Sequence, residues 1–255
     1  MIPLRDQEYI RQLFEQELDG RVKIDFFSQR FSTLLVPGRE ECATCEATGK
    51  LLQELAALSD KVTLTVHELV DEPDEARRLK VDNVPGIVVR GPVNRPLRFF
   101  GAPGGNEFTN FVETLVVASK SKVDLDADVA KQLKRLKDKV SVTVYVTPTC
   151  PYCPQVVRAA YRLALASAHI EATAIEIEEF PRLAQQLGIR AVPLTVLNNE
   201  TSISGAMDEA GLLDAVLRQA EGKVAASTDL GEITSIEQEQ AVPIQTSPSG
   251  LVLPR

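Results

Sequence analysis

Basic charge, long apolar runs and histidine are all scarce in this 255-residue sequence. Its 28 Lys and Arg are outnumbered by 36 Asp and Glu, for a formal net charge of −8. A chain that tracks a phosphate backbone carries basic stripes, so no nucleic-acid partner is expected. No stretch approaches the roughly 18 apolar residues of a membrane span, so no membrane association is expected either. The opening MIPLRDQEYIRQLFEQELDG is charged every few residues and has no apolar core. It does not read as a secretory leader, and the expected location is cytoplasmic. His67 and His169 are the two histidines, and neither adjoins a cysteine, which counts against a Cys–His hydrolase. His67 falls on the polar phase of its segment, and His169 sits at a helix end.

Cysteine is also sparse, at four residues, but its spacing is informative. Reducing pools in a cytoplasm disfavour permanent disulfides, so paired cysteines point to redox or metal chemistry. Cys42/Cys45 in ECATCE and Cys150/Cys153 in TCPYCP are offset by 108 residues (150 minus 42). Two similar strings downstream, VDNVPGIVV and GIRAVPLTV, place Pro85 and Pro193 at the same offset (193 minus 85). Cysteines and prolines thus keep one register across two halves, the mark of an internal duplication.

Apolar periodicity supports the repeat. KVTLTVHEL (61–69) alternates Val62, Leu64 and Val66 with polar residues, and EATAIEIEE (171–179) does so with Ile175 and Ile177, as half-buried strands do. Behind each cysteine pair runs a helical pattern: Leu51, Leu52, Leu55 and Leu58 in one half, Val156, Val157, Ala160 and Leu163 in the other. Short charged helices are expected near 73–80 and 180–187, amphipathic helices near 106–119 and 207–220, and opening helices near 5–18 and 127–138. Each half then reads strand, CxxC, helix, strand, helix, proline, strand, strand, helix. That order implies an α/β fold with helices on the faces of a sheet. The polar SKSKVDLDAD (119–128) marks the boundary, giving units at 1–120 and 121–220. The remaining 221–255 is rich in Ser, Thr, Gln and Glu and is expected to be a flexible tail. RFSTLLVPGRE (30–40) is an insertion with no counterpart beyond the short TPT of the second half.

A cysteine at a helix start faces unpaired backbone N–H groups and the positive end of the dipole, which favour the nucleophilic thiolate. A second cysteine one turn on can resolve the mixed disulfide that the first one forms. Pro151 and Pro154 both suit a first helical turn. An arbitrary X–Pro bond is presumed trans, but recurrence in register with a CxxC pair marks Pro85 and Pro193 as cis. The order of elements and residues resembles the thioredoxin superfamily, in which a cis-proline loop faces the active-site thiols, and CPYC is similar to the glutaredoxin motif. With its duplication, and with RFFGAPGGNEFTNFVETLVVAS and VYVTPTCPYCPQVVRAA, the chain resembles the two-domain protein disulfide oxidoreductases over residues 1 to about 220. The resemblance implies two tandem thioredoxin-fold units, each a mixed central sheet flanked by helices. It implies dithiol–disulfide exchange with protein substrates at Cys150, Cys153, Cys42 and Cys45, with Pro193, Val192, Pro85 and Val84 binding substrate. It further implies no bound cofactor and no metal, with electrons from a thioredoxin-reductase-like NADPH flavoprotein as partner. The chain departs from the pattern in having no tryptophan and no aromatic residue before Cys42, and TPT offers no lysine for a glutathione carboxylate.

The two sites differ in local charge. Glu40, Glu41 and Glu46 bracket the first pair and disfavour a thiolate, whereas Cys150 and Cys153 have neutral neighbours and Arg158 follows in their helix. Cys150 is therefore expected to be the more reactive leading cysteine. Asp25 resembles the buried aspartate of thioredoxins. Glu68 and Glu176 keep the 108 offset and read as solvated strand-end acids. Three alternatives remain: an electron relay from a flavoprotein reductase to a peroxidase, a zinc-binding protein, and a noncatalytic peptide-binding module. Paired zinc motifs usually lie within about 20 residues of each other, far closer than Cys45 and Cys150.

Overall fold

A computed structural model describes residues 2–29 and 42–223. The 30–40 insertion and the segment from 224 onward lie outside the described residues. The first half contains α1 (Leu4–Glu17), β1 (Val22–Ser28), α2 (Cys45–Ala56), β2 (Val62–Glu68), α3 (Pro73–Leu79), β3 (Gly86–Arg90), β4 (Leu97–Phe100) and α4 (Asn106–Ala118). The second repeats the order with α5 (Ala127–Leu133), β5 (Val140–Val146), α6 (Cys153–Ala166), β6 (Ile170–Glu176), α7 (Pro181–Leu187), β7 (Leu194–Leu197), β8 (Thr201–Ser204) and α8 (Glu209–Ala220).

Local chemistry sets the boundaries. Asp126 opens α5 by accepting the N–H groups of Asp128 and Val129, and Asp208 opens α8 by accepting that of Gly211. Pro73, Pro154 and Pro181 lie in first turns, where a missing N–H costs nothing. Gly188 closes α7 in the left-handed region at φ 63°. The strand expected through 171–179 stops at Glu176. There the Glu176 carboxylate accepts the N–H of Glu178 at 2.9 Å and turns Ile177–Glu179 into a single 3-10 turn.

The eight strands among the described residues form one sheet in the order β2-β1-β3-β4-β6-β5-β7-β8. Within each half the pairings are the same, one parallel and two antiparallel. The halves join edge to edge through parallel β4 and β6, Leu97 facing Ala172 and Phe100 facing Ile175. The join removes two exposed strand edges, each of which would otherwise invite foreign pairing.

Alternation along the strands divides the core between two faces. Phe26, Phe99 and Val144 enter the main core with residues of α1, α2, α4, α5, α6 and α8. Their neighbours Phe27 and Phe100 pack beneath α3, and Tyr145 beneath α7. Across the join, the Tyr161 hydroxyl donates to the Arg98 carbonyl at 2.6 Å, and Lys80 pairs with Glu171 at 2.6 Å. On the outer strand β2 the expected alternation fails. Val62 and Leu64 reach the main core, but Val66 is 48% exposed. His67, expected on a polar face, is buried, stacked on Phe27 with ring centroids 4.6 Å apart.

Candidate functional site

Both cysteine pairs are closed as disulfides, Cys42–Cys45 and Cys150–Cys153, each with its Cα atoms 5.5 Å apart. In each, the second cysteine opens a helix, Cys45 in α2 and Cys153 in α6, and is buried. The backbone N–H of Cys153 donates to the Cys150 sulfur at 3.1 Å. That donor, at the positive end of a 14-residue helix, stabilises negative charge on Cys150 once the disulfide opens. Cys42 is half-buried and Tyr152, between the second pair, is 59% exposed.

The Val84–Pro85 and Val192–Pro193 peptide bonds are both cis. Each proline is buried, and each preceding valine is partly exposed. Their carbonyls accept the N–H of Gly101 at 2.8 Å and of Gly205 at 3.0 Å, tying each cis-proline loop to the end of the neighbouring strand. Gly86 follows the first proline because a Cβ there would stand 2.6 Å from Val81 and 2.8 Å from the Asn83 carbonyl.

One electrostatic expectation needs correction. Arg158 does not serve Cys150. It pairs with Glu113 at 2.6 Å, the acid that α4 brings across the join. Asp25 is wholly buried, but it faces Lys23 at 2.9 Å, His67 at 3.0 Å and Arg90, two of them supplied by other strands. Burial alone would raise its pKa; hydrogen bonds from His67, Arg90 and Lys23 outweigh that and hold it below the usual carboxylate value. Asp25, His67 and Glu75 also form a group of metal-ligating type among the described residues. The cations already on Asp25 disfavour an added metal ion there.

Glu176 departs from the solvated strand-end reading. It is 2% exposed, and burial, then the charges of Glu179 and Glu178, push its pKa up to about 7. Glu68, its repeat counterpart on the free edge, stays partly exposed. A further acid, Glu107, carries no signal in the sequence. It lies in the first turn of α4, wholly buried, with Asn110 donating to it at 2.9 Å. The preceding residue, Asn106, donates its N–H to the Pro148 carbonyl at 2.9 Å, so the first half abuts the loop leading into Cys150. Burial pushes the Glu107 pKa up to about 7, against weaker opposing effects of Asn110 and Arg158. A carboxyl with a raised folded pKa costs stability above its unfolded value, increasingly until pH passes the folded one. Glu107→Gln is therefore expected to stabilise the protein by about 2 kcal/mol at pH 8 and much less at pH 5. Denaturant unfolding at the two pH values measures the difference, and an equal effect at both would show that Glu107 is ionised throughout.

No helix among the described residues is long and apolar enough to cross a membrane. A thioredoxin-domain family model matches residues 140–218. A component of the alkyl hydroperoxide reductase of Pseudomonas aeruginosa is 29% identical over 201 residues, 78% of this chain and 36% of that protein. The chain thus spans about a third of the length of the first curated relatives it matches. A solved protein disulfide oxidoreductase from Aeropyrum pernix superposes with a TM-score of 0.75 at 25% identity, covering 88% of this chain and 96% of that one. The thioredoxin of Methanocaldococcus jannaschii is 30% identical over 82 residues, 32% of this chain but 96% of its own length. Matched to a nearly complete thioredoxin, and built twice over on the strand, thiol pair and helix plan, the chain belongs to the thioredoxin superfamily.

Proposed function

We propose that this protein is a dithiol–disulfide oxidoreductase acting on protein disulfides, with Cys150 attacking and Cys153 resolving. The observation that carries the reading is the Cys153 N–H directed at the Cys150 sulfur at a helix start. In the reductive direction the Cys150 thiolate attacks one sulfur of the substrate disulfide, and the other sulfur leaves as a thiolate. Cys153, deprotonated, then attacks the Cys150 sulfur and expels the first substrate thiolate. Two electrons have passed to the substrate and Cys150–Cys153 is oxidised. Cys42/Cys45 is the second exchanging pair, and the loops at Val192–Pro193 and Val84–Pro85 receive the substrate backbone. A thioredoxin-reductase-like NADPH flavoprotein restores the dithiol in a reducing, cytoplasmic setting. No metal and no bound cofactor enter these steps.

Insulin reduction by dithiothreitol tests the reading. The protein is expected to accelerate precipitation of the insulin B chain well above reagent alone. No acceleration, and no turnover of any other disulfide substrate, would leave a noncatalytic binding module as the better account.

The likeness to the alkyl hydroperoxide reductase component supports a second reading, an electron relay from a flavoprotein reductase to a peroxidase. The two differ in the acceptor that a reductase-coupled assay drains fastest, a broad set of protein disulfides or one peroxidase.

Leading-cysteine reactivity supplies a further expectation. In variants that keep one pair each, Cys150 alkylates about tenfold faster than Cys42 near pH 7. Iodoacetamide labelling followed by mass spectrometry measures both rates, and equal or reversed rates would refute the asymmetry.

A further inference from the structure

The acids at the end of β6 are placed differently from their repeat counterparts. Glu176 and Glu179 correspond, at the 108 offset, to Glu68 and Asp71. Glu68 ends β2, an edge strand of the sheet among the described residues, and Asp71 after it is exposed. β6 instead lies against β4. The turn after it therefore rests over the end of β4, at Gly101 and Ala102.

One Glu179 carboxylate oxygen accepts the Ala102 N–H at 2.7 Å, and the other accepts the Thr44 hydroxyl. Thr44 stands between Cys42 and Cys45, directly before α2. Gly101 and Gly205 are equivalent positions, with φ of 101° and 99°, each donating to its cis-proline carbonyl. Among the described residues a Cβ at Gly205 would meet nothing within 4 Å, whereas at Gly101 it would stand 2.8 Å from Glu176 and 3.6 Å from Glu179. The close approach of the acids is thus a property of the join, and among the described residues it has no copy at the second site. Tyr152, the counterpart of Thr44, is exposed.

We infer that Glu179, carried by the second half, is a positioning residue for exchange at Cys42/Cys45, holding the CATC loop through Thr44 and opposing the thiolate with its charge. The inference rests on the exchange reading given above. Other charged groups surround the same loop. Glu46 on α2 is paired with Lys50 at 2.6 Å, while Glu176 and Glu178 flank Glu179 on its own turn. A carboxylate beside a dithiol destabilises the reduced, ionised form and so favours the disulfide. The first pair is thereby made the stronger reductant by a residue of the other half.

The test uses the full chain with Cys150→Ser and Cys153→Ser, so that Cys42/Cys45 alone exchanges. Glu179→Gln in this background is expected to move the pH midpoint of Cys42 alkylation down by about 1 unit and the equilibrium with glutathione about tenfold toward the dithiol. Glu179→Asp, which keeps the charge, is expected to restore most of both. The same Glu179→Gln in a Cys42→Ser, Cys45→Ser background should leave Cys150 alkylation unmoved. An unchanged midpoint and equilibrium in Glu179→Gln overturns the inference while leaving exchange intact, as does an equal shift at Cys150. A parent that does not equilibrate Cys42/Cys45 with glutathione at all overturns the exchange reading of that pair, and the inference with it.

Discussion

Cys150→Ser is expected to bring insulin-disulfide reduction at least about tenfold down, close to the rate of dithiothreitol alone, whereas Cys42→Ser costs less than about threefold. Serine keeps the size of cysteine but cannot supply a thiolate, so the variant isolates the nucleophile. Two effects oppose each other in ranking the pairs. Cys42 is the more exposed, since Cys150 is only 7% accessible, and exposure alone would favour Cys42. Charge favours Cys150, which receives the Cys153 N–H at 3.1 Å, while the CATC loop has the Glu179 carboxylate on Thr44. Thiolate fraction enters the rate directly, and small local opening can supply access, so charge should win. Exposed Tyr152 also offers a substrate an apolar surface next to the reacting sulfur. Cys153→Ser should trap the mixed disulfide on Cys150, visible as a covalent adduct by mass spectrometry. Equal losses from Cys150→Ser and Cys42→Ser would mean that electrons cross the two pairs in series. A larger loss from Cys42→Ser would reverse the assigned roles.

What could be read beforehand follows from the range of the interactions concerned. Helices behind Cys45 and Cys153 are legible because their apolar spacing is local: Leu52, Leu55, Val156 and Leu163 all reach the core. The register of Pro85 and Pro193 with the cysteines is legible because duplication preserves spacing, and both bonds are cis. Edge-to-edge joining of β4 to β6 is not legible, because nothing local in Leu97–Phe100 distinguishes a strand that ends a sheet from one that continues it. Several misreadings depend on that join or on distant partners. Glu176 lies against Gly101 at the end of β4, and Arg158 is turned toward Glu113 of the other half. Glu107 feels the charge of Arg158 in the second half, and Glu179 bonds to Ala102 and Thr44 of the first, partners that a sequence pattern does not reach. His67 has the polar phase of a surface residue, yet Asp25, 42 residues away, and Phe27 on the next strand enclose it.

The enclosure of Asp25 leads to the largest expected loss of stability. Asp25→Asn removes the charge that, among the described residues, pairs with Arg90 and Lys23 and anchors His67, whose second nitrogen lies 2.8 Å from Glu72. Uncompensated buried charge is costly, and the substitution should destabilise the protein by about 4 kcal/mol near pH 6. That corresponds to a fall of roughly 8 °C or more in unfolding temperature for a chain of this size. The pH dependence separates the partners. Asp25 has a depressed folded pKa, so its contribution is present above its unfolded value of about 4 and is lost as pH falls through the folded one. For His67, burial alone would lower the pKa, but Asp25 and Glu72 outweigh it and the net shift is upward. Its contribution is therefore full below about 6.5 and is lost as pH rises through the folded value. The difference between wild type and Asp25→Asn should peak between about pH 4 and 6.5 and shrink on both sides. Glu107 and Glu176 act on both proteins alike and cancel in that difference. Thermal unfolding across the range measures it, and His67→Gln should abolish the alkaline decline alone. A difference that stayed flat from acid to alkaline pH would show that neither ionisation stabilises the fold, and that Asp25 contributes only by its shape.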